Sequence, residues 1–276
     1  MNNFPNNNIT FVVFTYNESE RILRVIKNFR PFGNILIVDN FSVDDTVLIA
    51  QGEGCDILMN KNPGWCEDIV TTSRVKAAVK TDWIYWANAD EMLDKESLLE
   101  IISTIKSDKY DVINLKRKNY YYGRFLHDAY ADRMNRIFKK DAIDFTGNTI
   151  HSFGRLTVSS DRVKIEPDNI FIHHFISNTA KSYLNTIDRY TDIEADTENN
   201  TAALFIILRS LKNYFQSYFV RGAYKAGVPG LYICVLMFFY PLLAMMKRYE
   251  KRMQIDRTEI ERMNDIKRDS ILGNLD

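Results

Sequence analysis

The sequence predicts an α/β fold whose sheet is mostly parallel and flanked by helices. Three observations carry that reading. Short apolar runs recur as far as Leu115, stretches with apolar residues at helical spacing separate them, and polar or acidic residues follow most of the runs. Ile9–Phe14 reads as a buried strand, and Glu18 to Phe29 as a helix with Ile22, Val25, Ile26 and Phe29 on one face. Pro31 and Gly33 punctuate, and Asn34–Val38 forms a second strand. Ser42 and Asp45 stand three apart ahead of a short helix through Ile49, a loose capping-box arrangement. Asp56–Met59 is a third strand, Asp68 to Val79 a helix and Trp83–Ala87 a fourth strand. Asp94 caps a helix from Lys95 to Lys106, and Val112–Leu115 closes the series.

The chain divides into residues 1–200, one α/β domain, and residues 201–276, a helical tail that is basic and aromatic. From Tyr120 to Ile176 the pattern is less regular, mixing aromatic residues, glycine and short β-like runs around a site. Over the whole chain 36 basic residues balance 36 acidic ones, so no overall field draws in nucleic acid. Cys55, Cys66 and Cys234 are far apart and form no C-x-x-C pair, which argues against a disulfide framework or structural zinc and favours a reducing compartment. The polar, Asn-rich start has no secretory signal pattern, so the expected location is cytoplasmic.

In an open parallel sheet, ligands bind beyond the carboxyl ends of the strands. Thr15-Tyr16-Asn17-Glu18 follows the first strand, Asp39-Asn40 the second and Asn88-Ala89-Asp90-Glu91 the fourth, so three polar or acidic loops converge on one crevice. The first loop has no glycine, which excludes the G-x-G-x-x-G dinucleotide cradle, and no phosphate loop of the G-x-x-x-x-G-K-[ST] type is present. An acidic crevice without such a cradle holds phosphate through a divalent cation, here on Asp90.

The order Thr15-Tyr16-Asn17-Glu18, then Val38-Asp39-Asn40 with Ser42, Asp44 and Thr46, then Gly64-Trp65, Arg74 in a helix, and Ala89-Asp90-Glu91 after a strand resembles an inverting glycosyltransferase of family 2 with the GT-A fold. It is most similar to the bacterial branch that builds lipopolysaccharide core and related surface glycans. The likeness continues more weakly through Arg136-Ile137-Phe138, His151, His174-Phe175 and Tyr190-Thr191. The resemblance implies that Thr15, Tyr16, Asn17 and Glu18 line a nucleoside pocket. It implies that Asp39 accepts a hydrogen bond from the base, a uracil imide, and that Arg74 lies near the base or diphosphate. Asn88, Ala89 and Asp90 stand where the family has D-x-D, with an amide replacing the first carboxylate. Asp90 and His174 would then hold Mg²⁺ or Mn²⁺, and His173, its neighbour in a strand, points to the other face. Inverting transfer needs a base for the acceptor hydroxyl. The family often has His-Glu where this chain has His151-Ser152, which leaves Asp128, Asp132, Asp144 and Glu91 as candidates, with Glu91 and Asp132 favoured.

Each residue also has a plainer reading. Asp39 could cap its own loop, Thr15 and Glu18 could form a capping box, and Arg74 could be a solvated charge. His151 and His173 could be structural, and Trp65 and Tyr120-Tyr121-Tyr122 could be core packing. Asn88 and Ser152, both in place of carboxylates, keep open a non-catalytic, membrane-associated scaffold as the alternative to an enzyme.

Val228 to Met246 holds no charged residue over 19 positions, as a helix about 28 Å long, with Pro241 inside it and basic residues at both ends. Between Thr201 and Arg252 there are eight basic residues and one acid, Glu250. The tail is expected to associate in plane with an anionic membrane surface, to span it, or to pack on its own domain or another subunit. After Lys251, Ile255, Ile260, Met263 and Ile266 at near-helical spacing offer an oligomerisation helix. The expectation is a peripheral enzyme on the inner face of the cell membrane that moves a sugar from a nucleotide-sugar, a UDP-sugar by preference, to a lipid-linked or cell-surface glycan.

Overall fold

The computed structural model describes residues 7–62, 67–130, 132–148, 152–176, 179–196 and 201–273. The N-terminal half alternates as expected: β1 (Ile9–Thr15), α1 (Ile22–Phe29), β2 (Asn34–Asp39), α2 (Thr46–Gly52), β3 (Asp56–Met59), α3 (Ile69–Ala78), β4 (Trp83–Asn88), β5 (Glu91–Leu93), α4 (Lys95–Ser107) and β6 (Val112–Tyr121). Shorter strands follow: β7 (Arg124–Phe125), β8 (Asp132–Lys139), β9 (Ile143–Asp144), β10 (Arg155–Leu156), β11 (Val163–Ile165) and β12 (Phe171–Ile176). The helices α5 (Ala180–Ala195), α6 (Ala203–Phe215), α7 (Val228–Met253) and α8 (Arg257–Leu272) complete the chain.

The main sheet runs β3-β2-β1-β4-β8-β6-β12-β5, with β7 and β11 also paired to β6. β1, β2, β3 and β4 are mutually parallel, and β12 is parallel to β6. β8 lies between β4 and β6 and runs against both. Alternation explains how the sheet is covered on two sides. Phe11 and Val13 of β1 and Trp83 and Tyr85 of β4 enter a core shared with α1 and α4, where Phe11 stacks on Phe29 at 4.6 Å. Val12, Ile84 and Trp86 enter a second core with Val75 of α3, Phe138 and Phe145. The cap at Asp94 is realised, its side chain accepting from the Ser97 amide at 2.7 Å, and Asp68 caps α3 in the same way.

Two local expectations are corrected. α1 starts at Ile22 rather than Glu18, because residues 18–21 form a turn in which the Glu18 carbonyl accepts from the Arg21 and Ile22 amides. No capping box therefore forms on Thr15 and Glu18. At α2, Asp45 sits at the cap position with no side-chain bond, while Asp44 accepts from the Thr46 amide at 3.0 Å and Ser42 is engaged elsewhere.

The helical region begins at Ala180, ahead of residue 201, since α5 packs along α7. A third core joins Tyr121, Leu126 and Ala129 to Ala223, Ala226, Ile233 and Cys234, which fixes the C-terminal helices to the end of β6.

Candidate active site

The parallel register places Thr15 beside Asp39 at the carboxyl ends of β1 and β2. Asp39 is wholly buried. Its carboxylate accepts from the Thr15 hydroxyl at 2.8 Å, the Ser42 hydroxyl at 2.6 Å and the Ser42 amide at 2.7 Å. The loop-anchoring role is thus filled, and three donors satisfy a charge that burial would otherwise make costly. Further bonds lace the first loop to the second. Asn17, in the left-handed region at φ 56°, gives its amide to Ser42 Oγ and accepts from the Val43 amide. The Glu18 amide donates to Thr46 Oγ1 at 2.7 Å and the Ser19 amide to Asp44 at 3.1 Å. Burial is the largest single influence on Asp44 and opposes its ionisation, but the donors on Thr46 and Ser19 together outweigh it and bring the carboxyl down to about 2. Tyr16 and Asn17 remain exposed above this lacing.

Arg74 reaches from α3 to the end of β3, donating to Asn60 Oδ1 at 2.6 Å and to the Met59 carbonyl at 2.8 Å. The Asn60 amide in turn donates to the Asp39 carbonyl, so Arg74 braces the strand end beside Asp39.

The β4–β5 turn carries Asn88, buried Ala89, and Asp90. Asp90 Oδ2 lies 3.2 Å from Nε2 of His174, whose Nδ1 contacts Asn119 Oδ1. Burial would raise the Asp90 carboxyl, yet the His174 hydrogen bond, with the charges of His174, Arg21 and Arg117, pulls it below the usual range. Glu18 approaches from the first loop. Burial lifts its carboxyl, Arg21 opposes the rise, and Asp90 and Asp44 add to it. The loops that follow the first, second and fourth strands therefore lie next to one another. His173 points to the opposite face, where Nδ1 meets the Tyr120 hydroxyl at 2.9 Å, and burial lowers its pKa.

Glu91 does not face the crevice as an accessible base. Its side chain is 0% exposed. Its carboxylate accepts from the Asn88 amide at 3.2 Å and lies 3.4 Å from Arg117 and 3.9 Å from Arg136. It is an internal counter-ion that holds the turn, and this corrects the expectation that it takes a proton. Asp132, by contrast, is 41% exposed and gripped on both oxygens by Arg117, at 3.0 and 2.7 Å. Because β8 is antiparallel, its first residue sits at the sheet edge where β1, β2 and β4 end. Asp128 pairs with Lys116 at 2.7 Å, and Asp144 with Arg155 on the separate β9–β10 ribbon. His151 and Trp65 lie outside the described residues.

Against this geometry, the model of the family described as Glycosyl transferase family 2 matches residues 10–156, more than half of the chain. The chain belongs to glycosyl transferase family 2. It is a glycosyltransferase with an α/β, mostly parallel sheet and a helical C-terminal region, as the motifs implied. An uncharacterized glycosyltransferase of Rickettsia conorii is 24% identical, covering 92% of this chain and 94% of its own. The prophage-derived glycosyltransferase SunS of Bacillus subtilis is 31% identical over 32% of this chain and 21% of its own. Among solved structures, S. aureus TarS 1-349 in complex with UDP superposes with a TM-score of 0.45 at 12% identity, covering 90% of this chain and 92% of that one. The mannosyltransferase PcManGT from Pyrobaculum calidifontis, in complex with GDP-Man and Mn²⁺, does so at 0.45 and 14%, covering 88% and 87%.

This glycosyltransferase can be tested for fit to a divalent cation. Two cis ligands with bonds of about 2.1 Å sit about 3 Å apart. Asp90 Oδ2 and His174 Nε2 are 3.2 Å apart, and Asn119 holds the other ring nitrogen from behind. Among the described residues no group of three His, Cys, Asp or Glu side chains could hold a metal. The pair fits a cation whose other ligands are phosphate oxygens and water. Reading the sequence missed Asn119 and Arg117. Nothing in their neighbourhood marked them, because both lie in the part of β6 beyond Leu115, where Lys116, Arg117, Lys118 and Asn119 interrupt the apolar run.

Proposed function

We propose that this family 2 enzyme moves a sugar, with inversion, from a nucleotide-sugar to a hydroxyl of a lipid-linked or cell-surface glycan, in a reaction that needs Mg²⁺ or Mn²⁺. The observation that carries the reading is the Asp90–His174 pair, set at the meeting point of three strand ends and backed by Asn119. A bound cation would neutralise charge developing on the departing diphosphate. The chain's own residues do the rest. Thr15, Ser42 and Asp39 fix the floor of the nucleoside pocket, Tyr16, Asn17 and Glu18 form its rim, and Arg74 steadies the β3 end beside it. Ala89 keeps the turn small and Asn88 ties it to Glu91, so that Asp90 is aimed at His174. Asp132 is the base that takes the acceptor proton, since it is a partly exposed carboxylate that Arg117 ties to the turn carrying Asp90.

A uracil base is the preferred nucleoside, and a bacterial surface glycan of the lipopolysaccharide-core kind is the preferred acceptor, both on the strength of the sequence motifs. The enzyme acts from the cytoplasmic side of the cell membrane, as a peripheral protein. A thermal-shift screen of nucleoside diphosphates and nucleotide-sugars, with and without Mn²⁺ or Mg²⁺, tests the reading. A uridine diphosphate supported by metal should raise Tm, and Asp90→Ala should remove the shift. No shift with any nucleoside diphosphate would overturn it.

A further inference from the structure

α7 is long and apolar enough to cross a bilayer, and only 22% of its apolar stretch is buried, with Val228, Tyr232, Val235, Phe239 and Met246 exposed. Its packing argues against crossing. Along one flank it is fastened to α5 by polar contacts: Tyr240 donates to Glu194 at 2.6 Å, Lys247 reaches Asp188 at 2.6 Å and Asp192 at 2.8 Å, and Lys251 pairs with Asp196. A spanning α7 would drag these acids into hydrocarbon or abandon every one of these contacts. Its first turns are wedged against the domain, where Ile233 and Cys234 pack with Tyr121, Leu126 and Ala129. Gly230 lets α7 close on the turn that precedes it, since a Cβ there would fall 1.9 Å from the Ala223 carbonyl oxygen.

What remains open is the tip of the α6–α7 hairpin. A π-helical turn at Gln216–Val220 and left-handed Gly222 shape it, and Phe215, Phe219, Val220, Tyr224, Val228 and Tyr232 are all exposed there, Val220 at 79%. α6 and the tip carry Arg209, Lys212, Arg221 and Lys225, none with an acidic partner among the described residues, and the sequence has no acid from Thr201 to Tyr249. Aromatic and aliphatic side chains interleaved with unpaired cations match the boundary between acyl chains and anionic headgroups.

We infer that the hairpin seats in the plane of an anionic bilayer, tip inserted, with α7 lying on the membrane rather than through it. The occupant of the apolar face is lipid. This deepens the acceptor part of the proposed function and rests on that reading only there. The tip is packed on Tyr121, two residues from the Asn119 that holds His174, so a lipid-linked acceptor would be presented beside the cation pair.

Sedimentation of the full chain with phosphatidylcholine vesicles, and with vesicles that also contain phosphatidylglycerol, tests it. Binding should be strong only with the anionic lipid. Replacing Arg221 and Lys225 together by serine should weaken that binding roughly thirtyfold, at about a factor of five per charge. Phe219→Ser with Val220→Ser should weaken it further, and an unchanged ligand-free Tm shows that both variants fold. In inside-out vesicles from expressing cells, protease should remove a C-terminal tag, whereas a protected tag would overturn the in-plane arrangement. Failure of the chain to bind anionic vesicles, or a stable dimer that buries the tip instead, would overturn the lipid assignment. The nucleotide-dependent Tm shift, measured on the same samples, fails separately if the functional reading is at fault.

Discussion

Glu91, fully buried, lies with Oε1 3.4 Å from Nη1 of Arg117, and this contact couples the turn that carries Asp90 to the strand that carries Asn119. The other edge of Arg117 grips Asp132. One guanidinium therefore sets the spacing between the cation pair and the proposed base, with Glu91 as its internal counter-charge.

Glu91→Ala takes that buried counter-charge away from Arg117 and Arg136. Removing one partner of a buried ion pair typically costs about 3–5 kcal/mol. Urea unfolding of this variant should show a loss of that order. Were Glu91 the base, the variant would keep near-native stability and lose only turnover.

Asn88 is explained by the same counter-charge. Its side-chain amide donates to Glu91 Oε1 at 3.4 Å, a long but directed contact. Asn88→Asp would restore the family's first carboxylate and set it against Glu91, so a loss of roughly 1–3 kcal/mol is expected from the lost donor and the like charge. Denaturant midpoints compare the two chains, and a variant more stable than the wild-type chain would contradict this account.

Asp132→Asn keeps shape and removes proton affinity. With donor and acceptor present, kcat should fall by about 10²–10⁴. The nucleotide-dependent Tm shift should persist, since Asp132 does not belong to the cation pair. Full activity would move the base elsewhere.

Acid titration separates Glu18 from its neighbours. The folded Glu18 carboxyl is raised, so the folded state holds that proton to higher pH than the unfolded chain does. Ionised Glu18 then counts against stability above the unfolded value of about 4.3. Glu18→Gln should be neutral below about pH 4 and stabilising at neutral pH. Asp44 and Asp90 are lowered and act in the opposite sense. Their contribution is complete above about 3.9, and for Asp44 it drains away as pH falls towards about 2. Urea midpoints measured across this range for both chains check the crossing of signs.

Much of the fold could be read along the chain because the first four strands are apolar and are each followed by a helical pattern or a cap. Asp94 and the span of β3 came out as expected. β8 was not legible. Met134, Asn135 and Arg136 break its alternation, and only the neighbouring strands show why an antiparallel insertion is stable there. In the site, Asp90, His174 and the V-D-N-x-S-x-D-x-T string were visible as residue types, whereas the bonds from Ser42 and Thr46 that lace two loops together depend on a register no spacing reveals. Burial decided the matter of Glu91, and the A-D-E tripeptide gives no sign of it.

The central position of β8 has a bearing on biogenesis. As the ribosome releases the chain in order, β4 and β6 both emerge before the strand that belongs between them. A nascent polypeptide ending near Tyr121 would present two open strand edges that meet only when residues 132–139 arrive. Truncation within this window should therefore yield aggregates rather than a smaller folded unit.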